Sequence, residues 1–213
     1  VRIDFHCHTE FSRDSGTSLA GLLAACQRAG IDGLCITDHN RLVAPRLWPV
    51  AAPVRLIPGE EIMTTAGEII GLFLQEEIPP HLSPQETVQR IRAQGGIVYL
   101  PHPCESLRHS ALDPAAQVAI MADVDIIEVF NSRVTLPGDN AQALRLAQAS
   151  GKLHGAGSDA HTAREIGNAY VEMPAFTGQD DFLACLAQGR VVGRLANPLV
   201  HLDTVWQKLR KRI

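Results

Sequence analysis

Apolar positions along this chain follow two spacings. Between residues 18 and 29, Leu19, Leu22, Leu23 and Cys26 recur at helical intervals along one side, with Thr17 or Ser18 as the cap and Gly30 as the stop. Ser83, Pro84 and Glu86 put a cap, a first-turn proline and a capping-box acid in register, so a second helix runs from residue 83 to about residue 94. Helices are also predicted over 139–150 and 179–188, and an amphipathic tail over 203–212 carries Lys208, Arg210, Lys211 and Arg212. Between them lie short apolar runs that read as strands, at 2–5, 33–37, 54–58, 69–74, 97–100, 125–130, 153–157 and 169–173. Strands that alternate with helices favour parallel pairing through helical crossovers. A regular eight-unit barrel needs about 250 residues, so a compressed seven-stranded α/β barrel fits this chain better. One domain is expected over residues 1–213, with 202–213 as a basic C-terminal helix or tail.

Composition narrows the function classes. The chain is 46% hydrophobic and 20% charged, as an ordinary globular protein is. A net charge of −4 argues against general, sequence-independent nucleic-acid binding and leaves room only for a local basic groove. Cys7, Cys26, Cys35, Cys104 and Cys185 are odd in number and widely spaced, which fits reduced thiols in a cytosolic protein rather than a disulfide framework. No apolar run approaches the roughly 18 residues that span a bilayer, and no charged-then-apolar leader precedes Arg2, so a cytoplasmic protein without a membrane partner is expected.

The chemistry gathers where apolar runs end. His6-Cys7-His8, Thr37-Asp38-His39, Gly59-Glu60-Glu61, Gly67-Glu68, Pro101-His102-Pro103 and Ser158-Asp159-Ala160-His161 each stand at such a position. Residues two apart on a strand share a face, so His6 and His8 can grip one ion while Cys7 points into the surrounding layer. Asp159 and His161 repeat that spacing. Alternation puts only one of Glu60 and Glu61 inward. The donors are imidazoles and carboxylates, which suit Zn, Mn or Fe. With His6, His8, His39, His102 and His161 neutral and Asp14, Glu61, Glu68 and Asp159 ionised, three divalent ions would leave the site near +2 by charge addition. Such a site attracts anions, phosphate esters first among them. Asp38 reads as support for His39 or a cap on the next segment, and His81, His109, His154 and His201 as surface or structural residues.

Taken in order, these motifs resemble the polymerase and histidinol phosphatase (PHP) family, over essentially the whole chain. The resemblance implies a distorted (β/α)7 barrel, two or three divalent metal ions (Zn, Mn or Fe) and phosphoester hydrolysis. It favours Glu61 over Glu60, as the carboxylate bridging two ions, and likens Asp14 to the ligand that follows the first motif. Many relatives carry a His where this chain has Glu68, which hardens the site and lowers its positive charge by one.

The expected reaction is hydrolysis of a phosphate mono- or diester by a metal-activated hydroxide at a di- or trinuclear centre. Arg133, Arg164 and Arg13 stand beside motifs or strand ends and are the candidate phosphate clamps, Arg133 foremost. His161 or His102 is the candidate proton donor to the leaving oxygen. The substrate would be a small phosphorylated molecule (a nucleotide, sugar or amino-alcohol phosphate) or a short oligonucleotide, with no obligatory protein partner. Alternatives are an amidohydrolase-like metal hydrolase, a metal-stabilised non-catalytic module, and a nuclease acting on short oligonucleotides.

Overall fold

The computed structural model describes residues 1–108 and 110–211. His109, and Arg212 and Ile213 of the basic tail, lie outside them. In chain order the elements are β1 (Arg2–Cys7), α1 (Leu19–Ala29), β2 (Gly33–His39), α2 (Ala44–Leu47), β3 (Arg55–Thr64), β4 (Gly67–Leu72), α3 (Pro84–Ala93), β5 (Ile97–Leu100), α4 (Pro114–Ile120), β6 (Ile126–Asn131), α5 (Pro137–Ser150), β7 (Leu153–Gly157), β8 (Ala169–Glu172), α6 (Gln179–Leu186), β9 (Arg190–Gly193) and α7 (Val200–Arg210). The local signals hold where they were strongest. Ser18 caps α1 by accepting from Gly21 N–H, Gly30 ends it in the left-handed conformation, and Ser83 and Glu86 close a reciprocal capping box on α3.

The nine strands of the described residues form one mixed sheet in the order β7-β6-β5-β4-β3-β2-β1-β8-β9. The sheet curls until its first and last parallel strands nearly meet. At one rim β1 is joined to the segment after β7: Asp159 N–H donates to His6 O at 2.7 Å, and His8 N–H to Ala160 O at 2.9 Å. At the opposite end β1 pairs with β8 instead, so closure is confined to the rim that carries the motifs. The interior is filled by Phe5, Tyr99, Ile57, Ile126 and Val171, with Phe182 and Leu186 of α6 packed among them. A second apolar layer lies between β3–β6 and α3 with α4, and a third between β1, β2 and α1.

The expectation of parallel pairing holds for β1–β2–β3 and β5–β6–β7 and is corrected elsewhere. β3 and β4 form an antiparallel hairpin, and β4 is antiparallel to β5. The two-residue connection after Thr64 is too short for a crossover, and only an antiparallel return fits it. The reversal has a chemical consequence, because the beginning of β4 comes to the rim where the parallel strands end. A second departure is local: β1 takes one extra residue against β2 between Asp4 and Cys7. This bulge lets consecutive side chains serve the interior, Phe5 in the apolar core and His6 in the polar rim, while Cys7 packs on the α1 side.

Candidate metal centre

His6, His8, Asp14, His39, Glu61, Glu68, His102, Asp159 and His161 converge at the closed rim, and all but His39 are buried. Three overlapping groups can be traced. In the first, His6 Nε2 lies 3.2 Å from His8 Nε2, 3.4 Å from Glu61 Oε1 and 3.6 Å from Asp159 Oδ1. His8 Nε2 lies 3.4 Å from Glu61 Oε2 and 3.2 Å from Asp159 Oδ1. A tetrahedral ion with donors at about 2.0–2.2 Å spaces them about 3.3–3.6 Å apart, so these separations fit one cation. In the second group Glu61 meets His39 and His102 at 3.0 Å each, and Glu68 lies 3.5 and 3.6 Å from the same two rings. In the third, Asp14 lies 3.5 Å from His39 Nε2 and 3.3 Å from His161 Nε2.

The polar accounting of the site points the same way. Asp14 Oδ1, Glu61 Oε2, Glu68 Oε2 and Asp159 Oδ1 are buried without a hydrogen-bond partner. Carboxylate oxygens left so are costly unless a cation meets them. Burial alone would raise the Glu61 and Asp159 carboxyls, but His6 and His39 hold Glu61, and Arg108 and His6 hold Asp159, well below the usual carboxylate range. Burial, with His161 and His39 nearby, takes His8 down to about 4, keeping it neutral. His6 is pushed up in spite of burial, by Glu61, Asp159 and Glu128; a cation at its Nε2 competes with that proton.

The rings are oriented from behind. His6 Nδ1 faces Glu128 Oε1 at 3.1 Å, and His161 Nδ1 faces the Asp159 carbonyl at 2.8 Å. His8 Nδ1 faces Ser12 Oγ at 3.1 Å, and that hydroxyl donates to Asp38 Oδ1 at 2.6 Å. With Nδ1–H donating outward, the Nε2 lone pair of each ring points into the cluster, the usual support of metal-binding imidazoles. Asp38 thus supports the site through Ser12 and Thr9. Glu60 turns to the other face, where it accepts from Ile78 N–H and burial pushes it up to about 8. Backbone strain concentrates here too, since His102 (φ 28°) and Asp159 (φ 51°) occupy the left-handed region.

Two glycines make the approach possible. At Gly157 a Cβ would strike His6 and come within 2.7 Å of Glu128 Oε1. At Gly67 (φ 121°) it would lie 2.5 Å from Ala111 O and Leu112 Cα, on the residue that presents Glu68 to the rim.

The predicted arginines separate. Arg133 is 3% exposed, with Nε 3.2 Å from Glu165 and Nη2 donating to Val200 O and Thr204 Oγ1. Arg133 and Arg13 both line a cavity of about 980 Å³ above the cluster, whereas Arg164 is exposed and not brought to it. Arg108 is the cation that sequence reasoning missed: Nη2 holds Asp159 Oδ2 and Nε holds Glu105, each at 2.7 Å. It sits on a loop with no motif to mark it. Glu128 was also missed, although an acid inside the apolar run Ile126-Ile127-Glu128-Val129-Phe130 is a legible signal.

The comparisons with known proteins bear on the family and the fold. A family model described as PHP-associated matches residues 137–191. An uncharacterised protein of Methanocaldococcus jannaschii is 37% identical over 175 residues, covering 81% of this chain and 70% of the relative. The chain belongs to the PHP family. Solved structures share the PHP-type fold at low identity. PsfC from Pseudomonas syringae has a TM-score of 0.71 at 17% identity, over 98% of both chains. A two-domain protein of Bacteroides vulgatus containing a predicted PHP-like metal-dependent phosphoesterase has a TM-score of 0.65 at 16% identity, over 97% of this chain and 69% of that one. The lesion-specific endonuclease Q of Pyrococcus furiosus has a TM-score of 0.63 at 12% identity, over 93% of this chain and 59% of that one. Among the described residues of this PHP protein, no helix is long and apolar enough to cross a membrane.

Proposed function

We propose that this protein is a metal-dependent phosphoesterase that hydrolyses a phosphate mono- or diester at a di- or trinuclear centre. One observation carries the reading. Four buried carboxylates among five imidazoles each leave an oxygen without a hydrogen-bond partner, and two of them, Asp14 and Glu68, line a cavity together with Arg13, Arg108 and Arg133. Anionic donors for cations beside cationic groups for a phosphate ester are what metal-dependent phosphoester hydrolysis requires.

In this reading His6, His8, Glu61 and Asp159 would hold one cation, Glu61, Glu68, His39 and His102 a second, and Asp14 with His161 a third. Divalent ions held there would act as Lewis acids on a phosphoryl oxygen and would lower the pKa of bound water towards about 7. The chain's own groups do the rest. Glu128, Ser12 and the Asp159 carbonyl fix the ring orientations, and Arg108 holds Asp159 so that its Oδ1 stays turned to the cluster. Arg13, exposed at the cavity edge, is free to meet the ester, while Arg133 forms the wall against Glu165 and α7. His161 has its Nδ1 on a carbonyl and its Nε2 on Asp14, so it fits the ligand role better than proton donation.

The test is metal content per chain measured alongside turnover of p-nitrophenyl phosphate and bis(p-nitrophenyl) phosphate. Bound metal and chelator-sensitive hydrolysis are expected; protein that takes up no Mn or Zn and hydrolyses neither ester would overturn the proposal. Preference between the two esters separates monoesterase from diesterase. The fold shared with endonuclease Q favours including an oligonucleotide, and activity on it that falls steeply with salt would support the nuclease version.

A further inference from the structure

The basic tail, expected from sequence as a C-terminal helix or tail, is seated against the loop that carries Asp14. Lys211 Nζ donates to the carbonyls of Glu10, Ser12 and Ser15 at 2.6, 2.6 and 2.7 Å. Arg133 Nη2 reaches Val200 O at 3.1 Å and Thr204 Oγ1 at 2.6 Å. Gln207 abuts Gly16 so closely that a Cβ there would come within 2.6 Å of its Nε2. Positions 200, 204, 207, 208 and 211 share one face of a helix, and that face is turned to the rim. Leu202, Val205, Trp206 and Leu209 are exposed. The helix is therefore docked by its polar side, and its docking delivers one charge to the site: Lys208 Nζ lies 3.2 Å from Asp14 Oδ2 and lines the cavity.

A cation bound by Asp14 would weaken that contact, because two positive charges would then share one carboxylate. Lys208, 47% exposed on a flexible four-carbon stem, can turn into the cavity instead. We propose that Lys208 is a phosphate-binding residue, which exchanges Asp14 for a phosphoryl oxygen of the substrate when cations take up that carboxylate. The inference rests on the phosphoesterase reading and assigns the C-terminal helix a part in its substrate site. Arg133 and Lys211 then act as positioning residues that hold α7 where Lys208 can reach.

Two variants, Lys208→Ala and Lys208→Arg, decide it beside the wild type, each compared for melting temperature, metal affinity, binding of inorganic phosphate to the Mn-loaded protein by calorimetry, and KM against kcat on p-nitrophenyl phosphate. Lys208→Ala is expected to weaken phosphate about 10-fold, the low end for a charge-assisted hydrogen bond because the group is half in solvent. KM should rise with it more than kcat falls. Metal affinity should hold or increase, since a competing cation is gone, and Lys208→Arg should restore phosphate binding to within about threefold. Unchanged phosphate affinity in Lys208→Ala would overturn the proposal, as would a joint loss of stability, metal and phosphate that Lys208→Arg does not repair. Wild-type protein that binds phosphate through Lys208 yet cleaves no ester would instead count against the phosphoesterase reading alone.

Discussion

His6 Nδ1 and Glu128 Oε1 lie 3.1 Å apart with both side chains fully buried, so the ring that opens the first metal group is aimed by an acid from a strand more than a hundred residues later. The same carboxylate accepts from Tyr99 Oη at 3.0 Å, His102 N–H at 2.8 Å and Asn131 Nδ2 at 3.0 Å. Glu128→Gln keeps the shape but replaces an acceptor-only group with one that also donates. Metal affinity is expected to fall about 10–100-fold, as when other supports of ligating histidines are removed. Equilibrium dialysis with Mn or Zn checks this, and unaltered affinity would refute the orienting role.

Arg108→Ala strips the partner from both Asp159 and Glu105 in a buried setting. Stability of the metal-free protein should drop by about 3 kcal/mol, the lower end for breaking a buried ion pair. A bound cation compensates Asp159, so the loss should be smaller in metal-loaded protein. Urea titrations with and without metal measure both.

Gly67→Ala places a methyl against the Ala111 carbonyl on a backbone that L residues rarely adopt. Strain and overpacking together are expected to cost about 2–5 kcal/mol. Because Gly67 presents Glu68, surviving protein should also bind less metal per chain, a ratio that elemental analysis of the folded fraction gives.

Glu86 offers a test away from the site. The Ser83 hydroxyl and backbone N–H hold its carboxyl below the usual range. A depressed folded-state value means the contribution is present above the unfolded carboxylate value and is lost as pH falls through the depressed one. Glu86→Gln should therefore melt below wild type near about pH 7, and the gap should close at about pH 3. A gap that widens on acidification would contradict the capping box.

Much of the site was legible because its donors are chemically distinctive and end apolar runs. His6 and His8 could be placed on one face from strand alternation alone, with Cys7 in the layer against α1. The bulge that turns His6 to the same side as Phe5 could not be foreseen, since it depends on how β1 pairs with β2. Glu68 was expected at the end of an apolar run, yet it stands at the start of β4 and reaches the rim only through the antiparallel hairpin.

Sequence by itself determined the local elements, the alternating α/β character and the set of candidate donors, because caps, periodicity and ligand chemistry are encoded within a few neighbouring residues. Tertiary structure alone decided the reversed hairpin, the closure of β1 onto the segment after Gly157, and the recruitment of Arg108, Glu128 and Lys208. Those depend on contacts between residues far apart in the chain, where burial and charge balance select partners that no short stretch of sequence records.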